Sequence, residues 1–174
     1  SRKIEPGGLF IATKGERVDG HSFIGQVMEK GALAVVSEQE LPDADFPYIL
    51  VKDSFTALKQ IAAFYRRQLS VRVVGITGSV GKTSTKEMIA GVLSAKYRVM
   101  KTEGNFNNEI GLPLTILRIR EEDEVAVLEM GISDFGEMSR LTQMAKPDIS
   151  VITNIGQCHL ENLKSRDGIL KAKT

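Results

Sequence analysis

This chain of 174 residues has few of the features that mark secreted, membrane-spanning or nucleic-acid-binding proteins. Its single cysteine, Cys158, excludes an intramolecular disulfide and is typical of a reducing cytoplasm. No apolar run approaches the roughly 18–20 residues that a membrane-spanning helix needs, and no signal-peptide pattern is present. The formal net charge is +1, with both signs interspersed, so the sequence predicts neither a nucleic-acid surface nor an anionic-membrane surface.

The two ends of the sequence carry no boundary signals of a complete domain. The chain begins at Ser1 close to a predicted strand, and it stops at Thr174 within a helical pattern that no glycine or proline follows. We therefore expect a part of a longer chain. The 174 residues are enough for one large or two small domains, without internal repeats or low-complexity segments.

Short apolar strands alternate with amphipathic helices along the whole sequence. The first unit has predicted strands at 9–12, 33–36 and 48–51 and predicted helices at 21–30 and 54–68. The second has predicted strands at 71–77, 98–101, 125–130 and 149–154 and predicted helices at 83–95, 135–144 and from 163 onward. Such alternation is typical of a parallel sheet covered on both faces. The predicted fold is α/β, with a small N-terminal α/β domain at 1–69 and the first part of a mainly parallel domain at 70–174.

The most informative segment is VRVVGITGSVGKTST, residues 71–85, where an apolar strand leads through a glycine-rich turn into a helix. The backbone N–H groups of such a turn and the positive end of the helix dipole favour a phosphate. The turn has the pattern G-x-x-G-K-T, because Ile76 stands where the common G-x-x-x-x-G-K-[ST] loop has its first glycine. We predict that a nucleoside triphosphate is bound by Gly78, Ser79, Val80, Gly81, Lys82, Thr83 and Ser84. The alternative is a glycine-rich turn with an exposed lysine.

Two residues of this loop and the helix after it support the phosphate-loop interpretation. Lys82 would neutralise charge on the β- and γ-phosphates, and the Thr83 hydroxyl would bind Mg²⁺. The helix shows an apolar repeat at the spacing of one buried face, made by Met88, Ile89, Val92 and Leu93.

Polar residues also follow the other predicted strands of the second unit, where parallel sheets bind ligands. Glu129 would hold Mg²⁺ if its strand neighbours the strand of the phosphate loop, and otherwise it is an exposed strand-end residue. His159, in TNIGQCHLEN, is as consistent with a ligand as with a packing residue. Cys158 has no identifiable basic partner, so we do not expect a nucleophilic thiol.

A loop rich in asparagine and glycine, TEGNFNNEIGLP, follows the strand at 98–101. Its asparagines, Asn105, Asn107 and Asn108, are consistent with substrate contact and equally with turn chemistry, since asparagine and glycine both favour left-handed turns. In the first unit, polar groups at Ser1, Arg2 and from Lys14 to His21 surround the first strand and by themselves indicate only a solvated loop.

Four segments together resemble the Mur ligases: GITGSVGKTSTKE, GNFNNEIGLPLT, LEMGISDFGEM and TNIGQCHLENLKSRDGILKAK. The opening SRKIEPGGLFIATKGERVDGHSF is similar to the N-terminal domain of that family, so the resemblance covers essentially all residues. Within the family, the second and third segments most resemble the enzymes that add D-alanyl-D-alanine to a UDP-N-acetylmuramoyl tripeptide. Family members have a longer central domain and a C-terminal domain, which these residues do not contain.

The resemblance implies a cytoplasmic, monomeric ligase of peptidoglycan synthesis that uses ATP and Mg²⁺ and forms an amide bond through an acyl phosphate. It implies catalytic roles for Lys82, Glu129, His159 and Lys173 and metal contacts for Thr83, Glu129 and His159. Lys173 aligns with a lysine that family members carbamylate, and the carbamate would ligate a second Mg²⁺. The alternative is that Lys173 is an ordinary helical lysine.

The resemblance also implies two groups of substrate contacts. Ser1, Arg2, Gly15, Asp19 and His21 would lie near the UDP portion, and Thr102, Asn105, Asn107 and Asn108 would lie near the acyl phosphate. Because family members meet the adenine and the incoming dipeptide partly with later segments, we expect the chain alone to be inactive.

Three other functions stay open at this point. Another Mur-type ligase or a folylpolyglutamate synthetase would keep the ATP chemistry and change the acceptor. A P-loop NTPase acting as a switch would hydrolyse nucleotide without an amino-acid acceptor, and a nucleotide-binding module would catalyse nothing.

Overall fold

Two parallel sheets organise the chain in the computed structural model, which describes residues 4–15, 18–156, 160–163 and 165–173. The chain divides into two units, Ser1–Leu58 and Lys59–Thr174. The sequence placed the boundary after residue 69, whereas the structural division falls inside the long helix α2, Ser54–Gln68. The assignment of functions to the two units stays a prediction.

The first unit contains a three-stranded parallel sheet in the order β1-β2-β3. Its strands are β1 Leu9–Ile11, β2 Ala34–Ser37 and β3 Tyr48–Leu50, and its helices before α2 are a 3₁₀ helix, Gly20–Phe23, and α1, Ile24–Glu29. Ala12, Ile24 and Val35 form the centre of its small core. These elements match the predicted ones within one or two residues, except that the predicted helix at 21–30 begins as a 3₁₀ turn.

The second unit contains a four-stranded parallel sheet in the order β5-β6-β4-β7. Its strands are β4 Arg72–Thr77, β5 Val99–Lys101, β6 Val125–Glu129 and β7 Ile149–Ile152. Its helices are α3 Lys82–Leu93, α4 Gly111–Ile116, α5 Glu137–Ala145, α6 Leu160–Leu163 and α7 Arg166–Lys173. The predicted parallel α/β sheet is confirmed. Among the described residues, no helix has the length and apolar character needed to cross a bilayer.

Helices cover both faces of the sheet around β6, which explains why β6 is an unbroken buried run. One face packs against α4, α5 and α7 through Leu112, Leu141 and Ile169. The other face packs against α3, where Ile76 and Val127 contact Ala90. The covered sheet is the rigid support from which the loops at the strand ends project.

The predicted buried face of α3 is wrong for half of its residues. Met88 is 71% exposed and Val92 is 75% exposed. The helix faces the sheet through Lys86, Ile89, Ala90 and Leu93. At about 100° per residue, the observed buried face is rotated by roughly 80° from the predicted one, which is a little less than a quarter of a turn. The error arose because an apolar repeat counts every lysine as solvent-facing, although the lysine stem can be buried when its ammonium finds acceptors.

Candidate active site

The strand order brings four polar segments of the second unit to one edge of the sheet. β4 lies between β6 and β7, and Ile76 of β4 is paired with Glu129 of β6. β5 is paired with β6 on its other side. Because all four strands are parallel, the segments that follow them meet at their carboxyl ends. The condition on which the prediction for Glu129 depended, that its strand neighbours that of the phosphate loop, is therefore met.

The phosphate loop follows β4 and bends at two glycines with positive φ. Gly78 has φ 140° and Gly81 has φ 80°, both in the region that favours glycine. A Cβ on Gly78 would lie 2.0 Å from Thr153 Oγ1, so a side chain does not fit there. Lys82, the first residue of α3, folds over the loop, and its Nζ donates to the Gly78 carbonyl oxygen at 2.9 Å. A side chain is thus excluded at Gly78, and the left-handed backbone at Gly81 favours glycine.

Two hydrogen bonds hold the buried carboxylate of Glu129, and a third holds its backbone. The Thr83 hydroxyl donates to Glu129 Oε2 at 3.0 Å, and the Asn107 side-chain amide donates to Glu129 Oε1 at 2.8 Å. The Glu129 backbone N–H donates to Thr102 Oγ1 at 2.9 Å. The residue is 3% exposed, which excludes the alternative of an exposed strand-end acid. A carboxylate is stable in such a place only when donors satisfy it.

The groups around Glu129 suit Mg²⁺ better than a metal ion that is held by three or more protein side chains. Mg²⁺ takes oxygen ligands, usually one or two carboxylates together with water and phosphate oxygens. Thr83 and Glu129 offer a hydroxyl and a carboxylate within hydrogen-bond distance of each other, so one cation could contact both. In the described part of the chain, no three histidine, cysteine, aspartate or glutamate side chains form a metal cluster. The residues present fit a nucleotide-bound Mg²⁺.

The loop after β5 is fixed at several points. Buried Lys86 donates from Nζ to the Thr102 carbonyl oxygen at 2.7 Å, which ties α3 to the start of the loop. Asn108 Oδ1 accepts the backbone N–H groups of residues 110 and 111 at the start of α4, as turn chemistry predicts. Asn105 is exposed, and Asn107 reaches Glu129. The three asparagines therefore differ in their contacts, and any contact of theirs with substrate stays a prediction.

Glu109 anchors the same loop to two helices. Its carboxylate accepts hydrogen bonds from Arg140 of α5 at 2.5 and 3.2 Å and from Lys59 of α2 at 3.4 Å. The Arg140 hydrogen bond is the main cause that lowers the pKa of Glu109 below its ordinary value, and Lys59 adds to it. The loop that carries Asn107 is thus held by charge as well as by turns.

Two residues that the sequence analysis missed hold the phosphate loop from the β7 side. Thr153 Oγ1 donates to the Val80 carbonyl oxygen at 2.6 Å, and Asn154 accepts two backbone N–H groups of the loop. The predicted residues His159 and Cys158 lie outside the described residues. The signal available in the sequence was only a Thr-Asn pair directly after a strand that ends at the site.

Lys173 lies at the end of α7 and is 4% exposed, which is not the environment of an ordinary solvated lysine. It lines a cavity of about 460 Å³ together with Thr77, at the end of β4, and Met130. Thr77 Oγ1 is buried without a hydrogen-bond partner among the described residues. A larger cavity of about 660 Å³ opens at the amino ends of β4 and β6 and contains none of the predicted site residues.

In the first unit, the structure brings Asp19 and His21 together. Asp19 Oδ1 accepts the His21 backbone N–H at 2.9 Å and lies 2.6 Å from His21 Nδ1. The Glu38 N–H donates to His21 Nε2 at 3.0 Å, which assigns the ring proton to Nδ1. The backbone N–H of His21, followed by its ring, lowers the pKa of Asp19. Both ring nitrogens of His21 thus make hydrogen bonds within the first unit. Ser1 and Arg2 lie outside the described residues. The substrate contacts of this unit stay predictions.

Family comparison matches nearly the whole chain. Residues 76–174 match the Mur ligase middle domain, and residues 1–66 match a domain described as the catalytic domain of the Mur ligase family. The chain belongs to the Mur ligase family. The parallel sheet and the phosphate loop of the second unit are accordingly those of a Mur ligase middle domain.

Two curated relatives of this Mur ligase chain share a name. The UDP-N-acetylmuramoyl-tripeptide–D-alanyl-D-alanine ligases of Bacillus subtilis and Escherichia coli are 53% and 43% identical to it over 99% of its length. The crystal structure of MurF from Acinetobacter baumannii superimposes with a TM-score of 0.92 at 39% identity, and that of MurF from Thermotoga maritima in complex with ADP with 0.90 at 40% identity, each over 99% of this chain. The chain spans 38% of the length of both curated relatives and 38–40% of these two structures.

Proposed function

We propose that the full-length protein containing this chain is an ATP-dependent ligase that joins D-alanyl-D-alanine to a UDP-N-acetylmuramoyl tripeptide in peptidoglycan synthesis. The observation that carries the proposal is the contact of Glu129 with Thr83 of the phosphate loop, on a chain 53% identical to a ligase of that name. The relatives do not favour a different acceptor or a switch NTPase. We expect the enzyme to act as a monomer in the cytoplasm.

The phosphate loop would bind ATP by its phosphates. The amides from Gly81 to Ser84 begin α3, and the first amides of any helix lack intrahelical acceptors. They would therefore donate to phosphate oxygens at the positive end of the helix dipole. Lys82 would exchange the Gly78 carbonyl oxygen for a phosphate oxygen and neutralise charge on it.

The reaction needs activation of a carboxylate, because a free carboxylate is a poor acyl donor at neutral pH. The tripeptide carboxylate attacks the γ-phosphorus of ATP, which releases ADP and forms an acyl phosphate. The amine of D-alanyl-D-alanine then attacks the acyl carbon, loses a proton and expels inorganic phosphate, leaving an amide. The protein contributes alignment of the reactants and stabilisation of charge on the phosphoryl oxygens.

Thr83 and Glu129 would hold Mg²⁺, and His159 would be a further ligand. The ion supplies charge neutralisation on the transferring phosphoryl group. Asn107 and Thr102 would hold Glu129 in the orientation that it has here. The burial of Lys173 supports the proposal, taken from the resemblance, that its carbamylated form ligates a second Mg²⁺. Labelled bicarbonate and NMR of the full-length protein test this carbamate, and absence of the carbamate signal contradicts it.

The first unit would bind the UDP portion of the substrate. Gly15 and Asp19 lie close together, because the Gly15 N–H donates to the Val18 carbonyl oxygen at 3.0 Å and Asp19 pairs with Lys14. His21 follows in the 3₁₀ helix and contacts Asp19. Ser1 and Arg2 complete the proposed contacts. Asp19→Ala should raise the KM for the UDP-linked tripeptide while leaving the KM for ATP unchanged, and equal changes in both would contradict a specific contact.

The decisive experiment measures ADP release by the full-length protein with UDP-N-acetylmuramoyl tripeptide, with and without D-alanyl-D-alanine. We expect release that requires both substrates and that Lys82→Ala abolishes. Lys96→Ala, which changes an exposed lysine near Tyr97 beyond α3, is the matched control and should keep full activity. ADP release without any amine would indicate an NTPase, and release with a different amino acid would indicate another ligase.

A further inference from the structure

Uncharged hydrogen bonds join the first half of the phosphate loop to the residues that follow β7. The Ser79 N–H donates to the Asn154 carbonyl oxygen and the Val80 N–H donates to Asn154 Oδ1, both at 3.1 Å. Thr153 Oγ1 donates to the Val80 carbonyl oxygen at 2.6 Å. The Gly156 N–H donates to Ser79 Oγ at 2.9 Å. These contacts connect two segments that are distant in the sequence and adjacent at the edge of the sheet.

The contacts with Asn154 divide the amides of the loop into two sets. The amides of Ser79 and Val80 are occupied by acceptors of the protein itself. The amides from Gly81 to Ser84 belong to the start of α3, and the first intrahelical bond is the one that the Thr85 N–H donates to the Gly81 carbonyl oxygen. Of these two sets, the second is the one that the loop can present to an anion.

We propose that Asn154 is a positioning residue for nucleotide binding, because it fixes the Ser79–Val80 half of the loop and so aims the Gly81–Ser84 amides at the phosphates. The inference rests on the proposed nucleotide function of the loop. Asparagine suits the position because its Oδ1 is an uncharged acceptor. An aspartate could accept the same hydrogen bond, but its charge would repel the phosphates.

The first test measures amide hydrogen exchange in the full-length wild-type protein. Without added nucleotide, the amides of Ser79 and Val80 should exchange at least about tenfold more slowly than those of Gly81 and Lys82. Addition of a non-hydrolysable ATP analogue with Mg²⁺ should then slow exchange at Gly81 and Lys82. Exchange at Val80 as fast as at Gly81 would overturn the proposal.

The second test separates the hydrogen bond from the charge. Asn154→Ala should abolish the protection of the Val80 amide and raise the KM for ATP by about tenfold, with the KM for D-alanyl-D-alanine unchanged. Asn154→Asp should keep the protection of Val80 and still weaken binding of the ATP analogue. Asn162→Ala is the control, because the Asn162 side chain also makes a hydrogen bond to the backbone, in which its Nδ2 donates to the Ser133 carbonyl oxygen at 3.1 Å.

The outcomes distinguish this inference from the proposed function. A wild-type protein that binds no ATP analogue would remove the nucleotide site and the inference with it. If the wild-type protein binds the analogue, and the Asn154→Ala variant keeps both the same affinity for it and the same protection of the Val80 amide, the inference alone is overturned. If Asn154→Ala does not fold, the wild-type exchange pattern and the Asn154→Asp variant decide.

Discussion

The two neighbours of β4 hold the phosphate loop by different kinds of contact. On the β6 side, the buried carboxylate of Glu129 contacts the phosphate loop. The loop that follows β5 is fixed on the same side through Glu109 and Lys86. On the β7 side, the described residues 153–156 meet the loop only through hydroxyl, amide and backbone groups. One side therefore carries charge toward the phosphate loop, and the described part of the other side carries none.

The difference separates two tasks that a phosphate site must perform. In the proposed site, a cation bound to phosphate would need an anionic oxygen ligand, and Glu129 on the β6 side would provide it. In the proposed site, the loop that presents the phosphate-binding amides must also be fixed without adding negative charge near the phosphate. Thr153 and Asn154 would do this by holding Val80 in the first half of the loop. Charged contacts respond to pH and salt, whereas neutral ones depend mainly on shape. Changes of charge should therefore weaken the β6 side most, and steric changes should weaken the β7 side most.

The largest effect should follow the loss of charge on the β6 side. Glu129→Gln keeps the size of the side chain and can still contact Thr83 and Asn107, but it cannot neutralise a cation. We expect kcat/KM of the full-length enzyme to fall by about a hundredfold or more, while the free energy of unfolding changes by only about 1 kcal/mol. ADP release and urea unfolding measure the two quantities. Proportionate losses in both would make the residue structural.

The next effect should come from steric change on the β7 side. Gly78→Ala places a Cβ 2.0 Å from Thr153 Oγ1 at a φ of 140°, so the loop must move away from β7. We expect a loss of stability of about 2–3 kcal/mol, measured by urea unfolding, and weaker ATP binding.

A double variant sharpens this prediction. Thr153→Ala removes the oxygen that the new Cβ would meet, so Gly78→Ala should cost less in its presence by about 1 kcal/mol or more. Strictly additive free energies of unfolding would mean that the strain at Gly78 arises from its backbone conformation alone.

Local patterns predicted the fold and the strand, turn and helix of residues 71–85 well, because these signals lie within a few consecutive residues. The sequence could name Glu129 only conditionally, since the pairing of β6 with β4 is a property of the sheet order. It missed Asn154 because the bond to Val80 spans 74 residues. It misplaced the buried face of α3 because the buried stripe contains Lys86, where the apolar pattern predicts an apolar side chain.

A smaller effect should follow the loss of the amide that holds Glu129. Asn107→Ala removes the donor to Glu129 Oε1 and leaves a buried oxygen without that partner. We expect about a tenfold lower kcat and a higher Mg²⁺ concentration for half-maximal activity. Gln143→Ala is the control, because it removes an exposed hydrogen bond on α5, which the Gln143 side-chain amide donates to Ser139 Oγ at 3.1 Å. Equal activity of the two variants would show that Asn107 does not position Glu129.

The smallest effect should be the pH dependence of the β6-side anchor at Glu109. Because Arg140 lowers the folded-state pKa of Glu109, the contact stabilises the protein above the unfolded-state pKa of about 4.3 and is lost as pH falls through the lower folded-state pKa. Glu109→Gln should therefore cost about 0.5–1 kcal/mol at neutral pH and flatten the acid side of the stability curve below about pH 5. Urea unfolding across pH measures both. Glu103→Gln, which breaks the more exposed pair with Arg118, should cost less at neutral pH, and equal costs would mean that partial burial adds nothing to the Glu109 anchor.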